Sequence, residues 1–249
     1  MIVAASTGCF SELPLPETMR QLEDLEYTSV TIVIDEQGCQ LRPSDVVRDL
    51  ERARQLCRDT HRLNIASFWI EMEPAEEDYY EKFAAICKLA KATKVVTLTM
   101  PSGELGIPFN EEVERLRKLV GIAKLEGARL SIRTQAGRLA EDPDTLTVLC
   151  DNVDGLGVTL DPSNFIFGHE RPRDYEKILK YVYHVLLRDT RSDQFQVRVG
   201  QGKVEFGRLV NQLRRHQYQQ ALCVDVHPMP DVDHRAEMRK LRLLLESLL

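Results

Sequence analysis

Short runs of β-branched and apolar residues recur along the chain, and stretches with helical periodicity separate them. Between the last two runs, for example, apolar residues fall at Phe206, Leu209, Val210 and Leu213, a spacing of three and four that is typical of an amphipathic helix. The pattern therefore predicts alternating strands and helices. The eight predicted strands are IVAAST (2–7), SVTIVID (29–35), IASFWIEM (65–72), VVTLTM (95–100), RLSIRT (129–134), GLGVTLD (155–161), YHVLLRD (183–189) and ALCVDV (221–226).

Eight strand–helix units in 249 residues predict an α/β protein with a single (β/α)8 TIM barrel that spans residues 1–249. No linker or low-complexity segment interrupts the units. The alternative is an open, doubly wound sheet, but the turn after the first strand, TGCFSELP, lacks the glycine fingerprint of a dinucleotide-binding fold. The barrel is the favoured fold.

Alternation along the last four strands predicts which side chains face the barrel interior. Apolar residues of one parity should face the helices, and the polar residues of the other parity should face inward, near the carboxyl ends where barrel sites lie. A slip of one residue in the fifth strand would reverse this assignment and turn Arg133 outward. The inward residues predicted near the mouth are Arg133, Gln135, Asp161, Leu186, Arg188, Asp225 and His227, with Asn164 just beyond Asp161.

A polar cluster at the barrel mouth is the expected position of a small-molecule site. Trp69, the single tryptophan of the chain, either covers a sugar ring there or packs in the core. His184 lies one layer deeper and is expected to be a hydrogen-bonded core residue. The GQGK loop (200–203) precedes a helix, so its amides either hold a phosphate or form a plain turn.

Composition narrows the classes of partner. The 33 basic and 39 acidic residues give a net charge of −6, which disfavours nucleic acid as the main partner. The six cysteines are spread singly, and MIVAASTG does not resemble a secretory leader, so we expect a reducing cytoplasm without disulfides or a thiolate zinc site. No apolar run approaches the roughly 20 residues of a membrane span.

The segments GVTLDPSNF, HVLLRDT and QVRVGQGKVEFGRLVNQL resemble those of the xylose isomerase-like TIM barrels, the sugar isomerase/epimerase superfamily that includes family 2 AP endonucleases. The resemblance extends over essentially the whole chain. It implies a divalent metal at the mouth, held by a Glu, an Asp, a His and an acid on strands five to eight. By this resemblance Asp161 and Asp225 match two metal ligands, whereas Arg133 stands at the Glu position and Leu186 at the His position. Asn164 replaces a further His that relatives often carry.

Arg133 changes the chemistry that the resemblance implies. A guanidinium offers only hydrogen-bond donors and stays charged near pH 7, so it excludes a metal from its own position. Placed between Asp161 and Asp225, it can instead supply the positive charge that two neighbouring carboxylates need. No cofactor is therefore certain, and Mn, Mg or Zn is retained as an alternative if the two acids recruit other ligands.

Three functions are compatible with this sequence. In the first, the protein is a sugar or sugar phosphate isomerase/epimerase in which Asp225 abstracts a proton and Arg133 stabilises the oxyanion. In the second, a catalytically inactive barrel binds a carbohydrate or a partner subunit. The third, an AP endonuclease, requires more metal ligands and a basic groove, and is disfavoured. The expected partner is a small carbohydrate, and the resemblance allows a homodimer. The predicted substrate-binding residues are Arg188, His227, Asn164, Gln135 and Trp69.

Overall fold

Eight parallel strands close into a barrel in chain order, β1 to β8, with β8 hydrogen-bonded back to β1. The computed structural model describes residues 1–60, 62–74 and 77–249. The strands are β1 (Ile2–Ser6), β2 (Ser29–Asp35), β3 (Asn64–Glu71), β4 (Thr97–Pro101), β5 (Arg129–Arg133), β6 (Gly157–Leu160), β7 (Val182–Leu187) and β8 (Ala221–Val224). All eight predicted strands and the barrel fold are confirmed, and the strand ends differ from the prediction by at most two residues.

The helices pack around the outside of the barrel. They are α1 (Leu15–Asp24), α2 (Pro43–Arg48), α3 (Leu50–Arg58), α4 (Tyr79–Thr93), α5 (Phe109–Leu125), α6 (Pro143–Asn152), α7 (Phe206–Arg215) and α8 (His234–Ser247). Short 3-10 helices cover Thr7–Phe10, Leu139–Glu141, Pro162–Phe165 and Glu176–Tyr181. In the described part of the chain, no helix has both the length and the apolarity that crossing a membrane requires.

The strand parity predicted for the last four strands is observed. In β5, Leu130 and Ile132 pack in the large core between strands and helices, while the Ser131 hydroxyl hydrogen-bonds to Thr159 Oγ1 inside the barrel at 2.7 Å. Arg133 is paired with Thr159 in the sheet register. The fifth strand therefore carries no one-residue slip, and Arg133 faces inward.

The barrel interior is built in layers. The deeper layer is polar: His184 Nε2 lies 3.0 Å from Thr31 Oγ1 and 3.2 Å from Ser67 Oγ. A small apolar cluster that includes Trp69, Leu186 and Cys223 lies above it. His184 and Leu186 are successive inward residues of β7, and the next inward position is Arg188, at the mouth. His184 is thus a hydrogen-bonded core residue, and Trp69 faces the interior.

Burial of His184 makes the stability of the fold depend on pH. Burial lowers the pKa of His184 from 6.5 to about 4. Between these two pH values the imidazole is therefore protonated in the unfolded chain and neutral in the native chain. Lowering the pH from 6.5 to about 4 should therefore remove about 3 kcal/mol of unfolding free energy through this residue. Urea unfolding of the wild type and of His184→Gln across this range measures the effect.

The variant should lose stability less steeply than the wild type as the pH falls. His216→Gln is the control, because His216 is exposed at the end of α7. Equal pH dependence in the wild type and in His184→Gln would contradict the buried, neutral state of this imidazole.

Candidate functional site at the mouth of the barrel

Two arginines and two aspartates meet at the carboxyl ends of the last four strands. Arg133 Nη2 lies 2.9 Å from Asp161 Oδ2 and 3.6 Å from Asp225 Oδ2. Arg188 Nη2 hydrogen-bonds to Asp225 Oδ2 and lies 3.7 Å from Asp161 Oδ2. We call these four residues the charge cluster. All four are buried: the aspartates are 0% exposed, Arg188 is 3% and Arg133 is 8%.

Strand geometry brings the four charges to one level. Arg133 is the last residue of β5, and Asp161, Arg188 and Asp225 each directly follow the last residue of β6, β7 and β8. The Asp225 amide still donates to the Leu187 carbonyl at 2.9 Å, so the sheet pairing continues into the cluster. Because alternate residues face inward, all four side chains converge on the barrel axis.

The turn after β6 orients the Asp161 carboxylate. Its Oδ1 accepts hydrogen bonds from the Ser163 amide, at 3.1 Å, and from the Ser163 hydroxyl. The Thr134 hydroxyl holds the Asp161 backbone amide at 2.7 Å. Asp161 is thus both the cap of the Pro162–Phe165 turn and a member of the charge cluster, because its two oxygens have different partners.

An aromatic ring backs each arginine. The Arg133 guanidinium carbon lies 4.1 Å from the centre of the Trp69 ring, and that of Arg188 lies 4.9 Å from the centre of the Phe195 ring. Such cation–π contacts stabilise a desolvated guanidinium by up to about 2 kcal/mol. Phe195 was missed by the sequence reasoning, because it lies in the loop after β7, where strand parity does not apply.

The cluster holds Asp225 ionised. Burial alone would raise the pKa of its carboxyl, but Arg188, His227 and Arg133 together lower it below the ordinary value of 3.8. The same pairing raises the pKa of Arg188, since Asp225 and Asp161 outweigh the opposing effect of burial. Asp225 and Arg188 therefore form a buried ion pair at neutral pH.

The other predicted substrate-binding residues surround this cluster. Asn164 is fixed between strands, because its Oδ1 accepts from the Ala136 amide at 3.1 Å and its Nδ2 donates to the Thr134 carbonyl at 2.9 Å. Gln135 is half-buried, with no hydrogen bond to its buried Oε1. The His227 side chain is 45% exposed, with Nε2 3.8 Å from Asp225 Oδ1. Their roles in substrate binding stay predictions.

The GQGK loop is a closed turn around an internal carboxylate. Asp189 Oδ2 accepts hydrogen bonds from the amides of Gly200 and Gly202, at 2.8 and 2.9 Å, and Oδ1 accepts from Val204 at 3.4 Å. A side chain on Gly202 would clash with Asp189, because a Cβ there would lie 1.9 Å from Oδ1. The plain-turn interpretation is correct, and Asp189 occupies the amides that a phosphate would need.

The residues at the mouth do not fit a divalent metal. In residues 1–60, 62–74 and 77–249, no cluster of three or more His, Cys, Asp or Glu side chains could hold such an ion. Each Oδ2 atom that could act as a ligand lies within 4 Å of both guanidinium groups. A cation placed beside them would meet two fixed positive charges that cannot be deprotonated.

We expect the purified protein to contain no stoichiometric metal. About 1 mM MnCl2 or MgCl2 should leave its melting temperature unchanged, whereas a ligand at 100 times its Kd stabilises by about 2.7 kcal/mol. Elemental mass spectrometry and melting scans measure both quantities. One bound metal per chain, or a clear rise in melting temperature, would contradict this reading of the charge cluster.

Removing one member of the charge cluster should destabilise the fold by more than the loss of one ion pair, because the remaining partner stays buried and unpaired. Arg133→Met leaves Asp161 without its nearest cation and should lower the free energy of unfolding by about 3–5 kcal/mol. Asp161→Asn leaves Arg133 without its nearest carboxylate and should also lower the free energy of unfolding. The double variant should lose less unfolding free energy than the two single variants lose in sum. Urea unfolding of the four proteins measures this coupling.

Arg208→Met is the control for this cycle, because the Arg208–Glu205 pair is exposed at 68% and 69%. Arg208→Met should lower the free energy of unfolding by no more than about 1 kcal/mol. Additive effects of Arg133→Met and Asp161→Asn would show that the two side chains are not energetically coupled.

Comparisons with known proteins agree with this architecture. The family model described as "Xylose isomerase-like TIM barrel" matches residues 19–245. None of the curated proteins matches the chain. Among solved structures, the chain is similar to a xylose isomerase-like TIM barrel protein from Mycobacterium smegmatis in complex with magnesium, with a TM-score of 0.78 and 15% identity over 100% of this chain and 98% of that one.

Two epimerases are also similar in fold. D-psicose 3-epimerase from Clostridium cellulolyticum H10, solved with D-tagatose, has a TM-score of 0.76 and 10% identity, over 100% of this chain and 99% of that one. The 3-keto-D-glucoside 4-epimerase from E. coli has a TM-score of 0.75 and 13% identity, over 99% of each chain. With the family model covering most of its length, this chain belongs to the xylose isomerase-like TIM barrel family.

Proposed function

We propose that this chain binds a small carbohydrate at the mouth of its barrel without a divalent metal ion. The observation that carries the proposal is the position of Arg133 and Arg188, whose guanidinium groups bridge Asp161 and Asp225. Family membership supports a carbohydrate as the class of ligand, since solved relatives include epimerases that act on sugars.

Several side chains at the mouth suit a sugar. The Trp69 ring is 8% exposed and packs against the Arg133 guanidinium, so it holds this cation in place for hydrogen bonds to a sugar. Gln135 and His227 keep exposed surface beside the cluster and offer hydrogen bonds to hydroxyl groups. An apolar surface with a few convergent polar groups is typical of small-ligand sites.

Binding without turnover is favoured over isomerase chemistry. An efficient general base has a pKa near the working pH, whereas ion pairing lowers the pKa of Asp225 below 3.8. Arg133 cannot accept a proton at neutral pH. Asp225 and Arg133, the residues expected to carry out isomerase chemistry, are therefore poorly suited to accept a proton near neutral pH.

Isomerase activity is the second candidate, and one observation favours it. Both guanidinium groups contact Asp225 Oδ2, so the ionised Oδ1 is the oxygen that would accept a proton while Arg133 stabilises an oxyanion. Exchange of a ketose C–H for deuterium in D2O would detect this step in the presence of EDTA. Exchange by the wild type that Asp225→Asn abolishes would establish it, and unchanged exchange would exclude Asp225 as the base.

The fluorescence of Trp69 gives a direct test of binding. It is the single tryptophan and stacks on Arg133, so a ligand at the mouth should change its emission. We expect saturable titration with D-tagatose or D-fructose in EDTA, and at least about tenfold weaker binding by Arg133→Met. Arg208→Met, on the outer surface, should bind as the wild type does.

Calorimetry on the same samples checks that the fluorescence change reports binding. No saturable binding of either sugar, or binding that appears only when a divalent metal is added, would contradict the proposed function.

A further inference from the structure

Glu71 is a titratable side chain at the mouth that lies outside the charge cluster. It is the last residue of β3, and Ser67, Trp69 and Glu71 occupy successive inward positions along that strand. Ser67 contacts His184 in the deeper polar layer, and Trp69 belongs to the apolar cluster above it. Glu71 therefore reaches the level of the mouth. It is half-buried, so water can exchange protons with its carboxyl group.

Two contacts hold the Trp69 indole in place. Its Nε1–H group donates a hydrogen bond to Glu71 Oε1 at 2.7 Å, and the Arg133 guanidinium carbon lies 4.1 Å from the centre of its ring. A hydrogen bond to an ionised carboxylate is roughly twice as strong as one to a neutral acceptor. An anion thus fixes the edge of the indole while a cation packs on its face, which links Glu71 to Arg133 through the ring.

The surroundings of Glu71 favour protonation more than those of an exposed glutamate do. Burial raises the pKa of Glu71 above its ordinary value of 4.5, and Asp35, its partner in the sheet at the end of β2, raises this pKa further. The Trp69 hydrogen bond and the charges of Arg133 and Arg138, the latter in the loop after β5, offset only part of this effect. The carboxyl group is therefore protonated at a higher pH than usual.

We propose that Glu71 is a positioning residue for Arg133 and makes carbohydrate binding at the mouth depend on pH. The ionised carboxylate fixes the indole that packs on the guanidinium. Protonation weakens this hydrogen bond, so the ring and the guanidinium lose part of their fixed orientation. A sugar then binds more weakly in acid. The inference rests on the proposed carbohydrate-binding function and adds a control of that site by pH.

The indole N–H group of Trp69 reports the protonation of Glu71 directly. The chain contains one tryptophan, so a proton–nitrogen correlation spectrum of the nitrogen-15-labelled protein has a single indole cross-peak. In the absence of sugar, we expect this cross-peak to move in one transition as the pH falls, with a midpoint above 4.5. Glu71→Gln cannot ionise and should abolish the transition. Melting scans establish that each variant is folded.

Asp35→Asn is the matched control, because it removes one carboxylate from the neighbouring strand. It should keep the transition and lower its midpoint, since Asp35 raises the pKa of Glu71. A transition that persists in Glu71→Gln belongs to another group, such as His227, and overturns the inference. A stationary wild-type cross-peak also overturns it. If Glu71→Gln does not fold, an unchanged midpoint in Asp35→Asn is the overturning result.

Calorimetric titration with D-tagatose or D-fructose, in EDTA, measures the effect on the ligand. More than half of the Glu71 side chains are protonated at pH 4.5. We therefore expect at least about twofold weaker wild-type binding there than at about pH 8, and Glu71→Gln should lose most of this difference. Equal wild-type affinity at both pH values overturns the inference and leaves carbohydrate binding standing. If neither sugar binds at either pH, the proposed function fails, and the indole transition alone decides the role of Glu71.

Discussion

The mutual neutralisation of two arginines and two aspartates is the constraint on which the mouth of this barrel depends. None of the four charges could remain buried alone, because moving an ion out of water costs several kcal/mol even after the protein relaxes. Together they sum to zero, and the shared Oδ2 atoms of Asp161 and Asp225 bring each guanidinium within reach of both carboxylates. The rings of Trp69 and Phe195 pack against the two guanidinium groups and add to their enclosure.

The two arginines place the charge of a divalent cation at the barrel mouth in a different chemical form. Two guanidinium groups carry the same total charge as one divalent cation, so two carboxylates can lie close together at the barrel mouth. A metal ion, however, has open coordination positions and polarises bound oxygens, whereas a guanidinium only donates hydrogen bonds in a fixed plane. Arg133 and Arg188 thus supply the charge of a cation without its coordination chemistry.

Strand periodicity made much of the cluster predictable. The period of two along β5 and β6 places Arg133 and Asp161 on the inner face, and this follows from sequence because apolar residues alternate with them. The pairing of Arg188 with Asp225 was not foreseen, since parity places a side chain on a face without fixing its partner. Phe195 and the closed loop around Asp189 lie beyond strand ends, where backbone geometry depends on long-range contacts and no sequence period applies.

The layered interior of the barrel strengthens the ion pairs of the charge cluster. The inward residues of β7 run from His184 through Leu186 to Arg188, so hydroxyl, apolar and charged layers follow one another at successive inward positions. The apolar layer of Trp69, Leu186 and Cys223 lies between the charges and the polar layer below. Lower local polarity strengthens each ion pair and raises the cost of each unmatched atom.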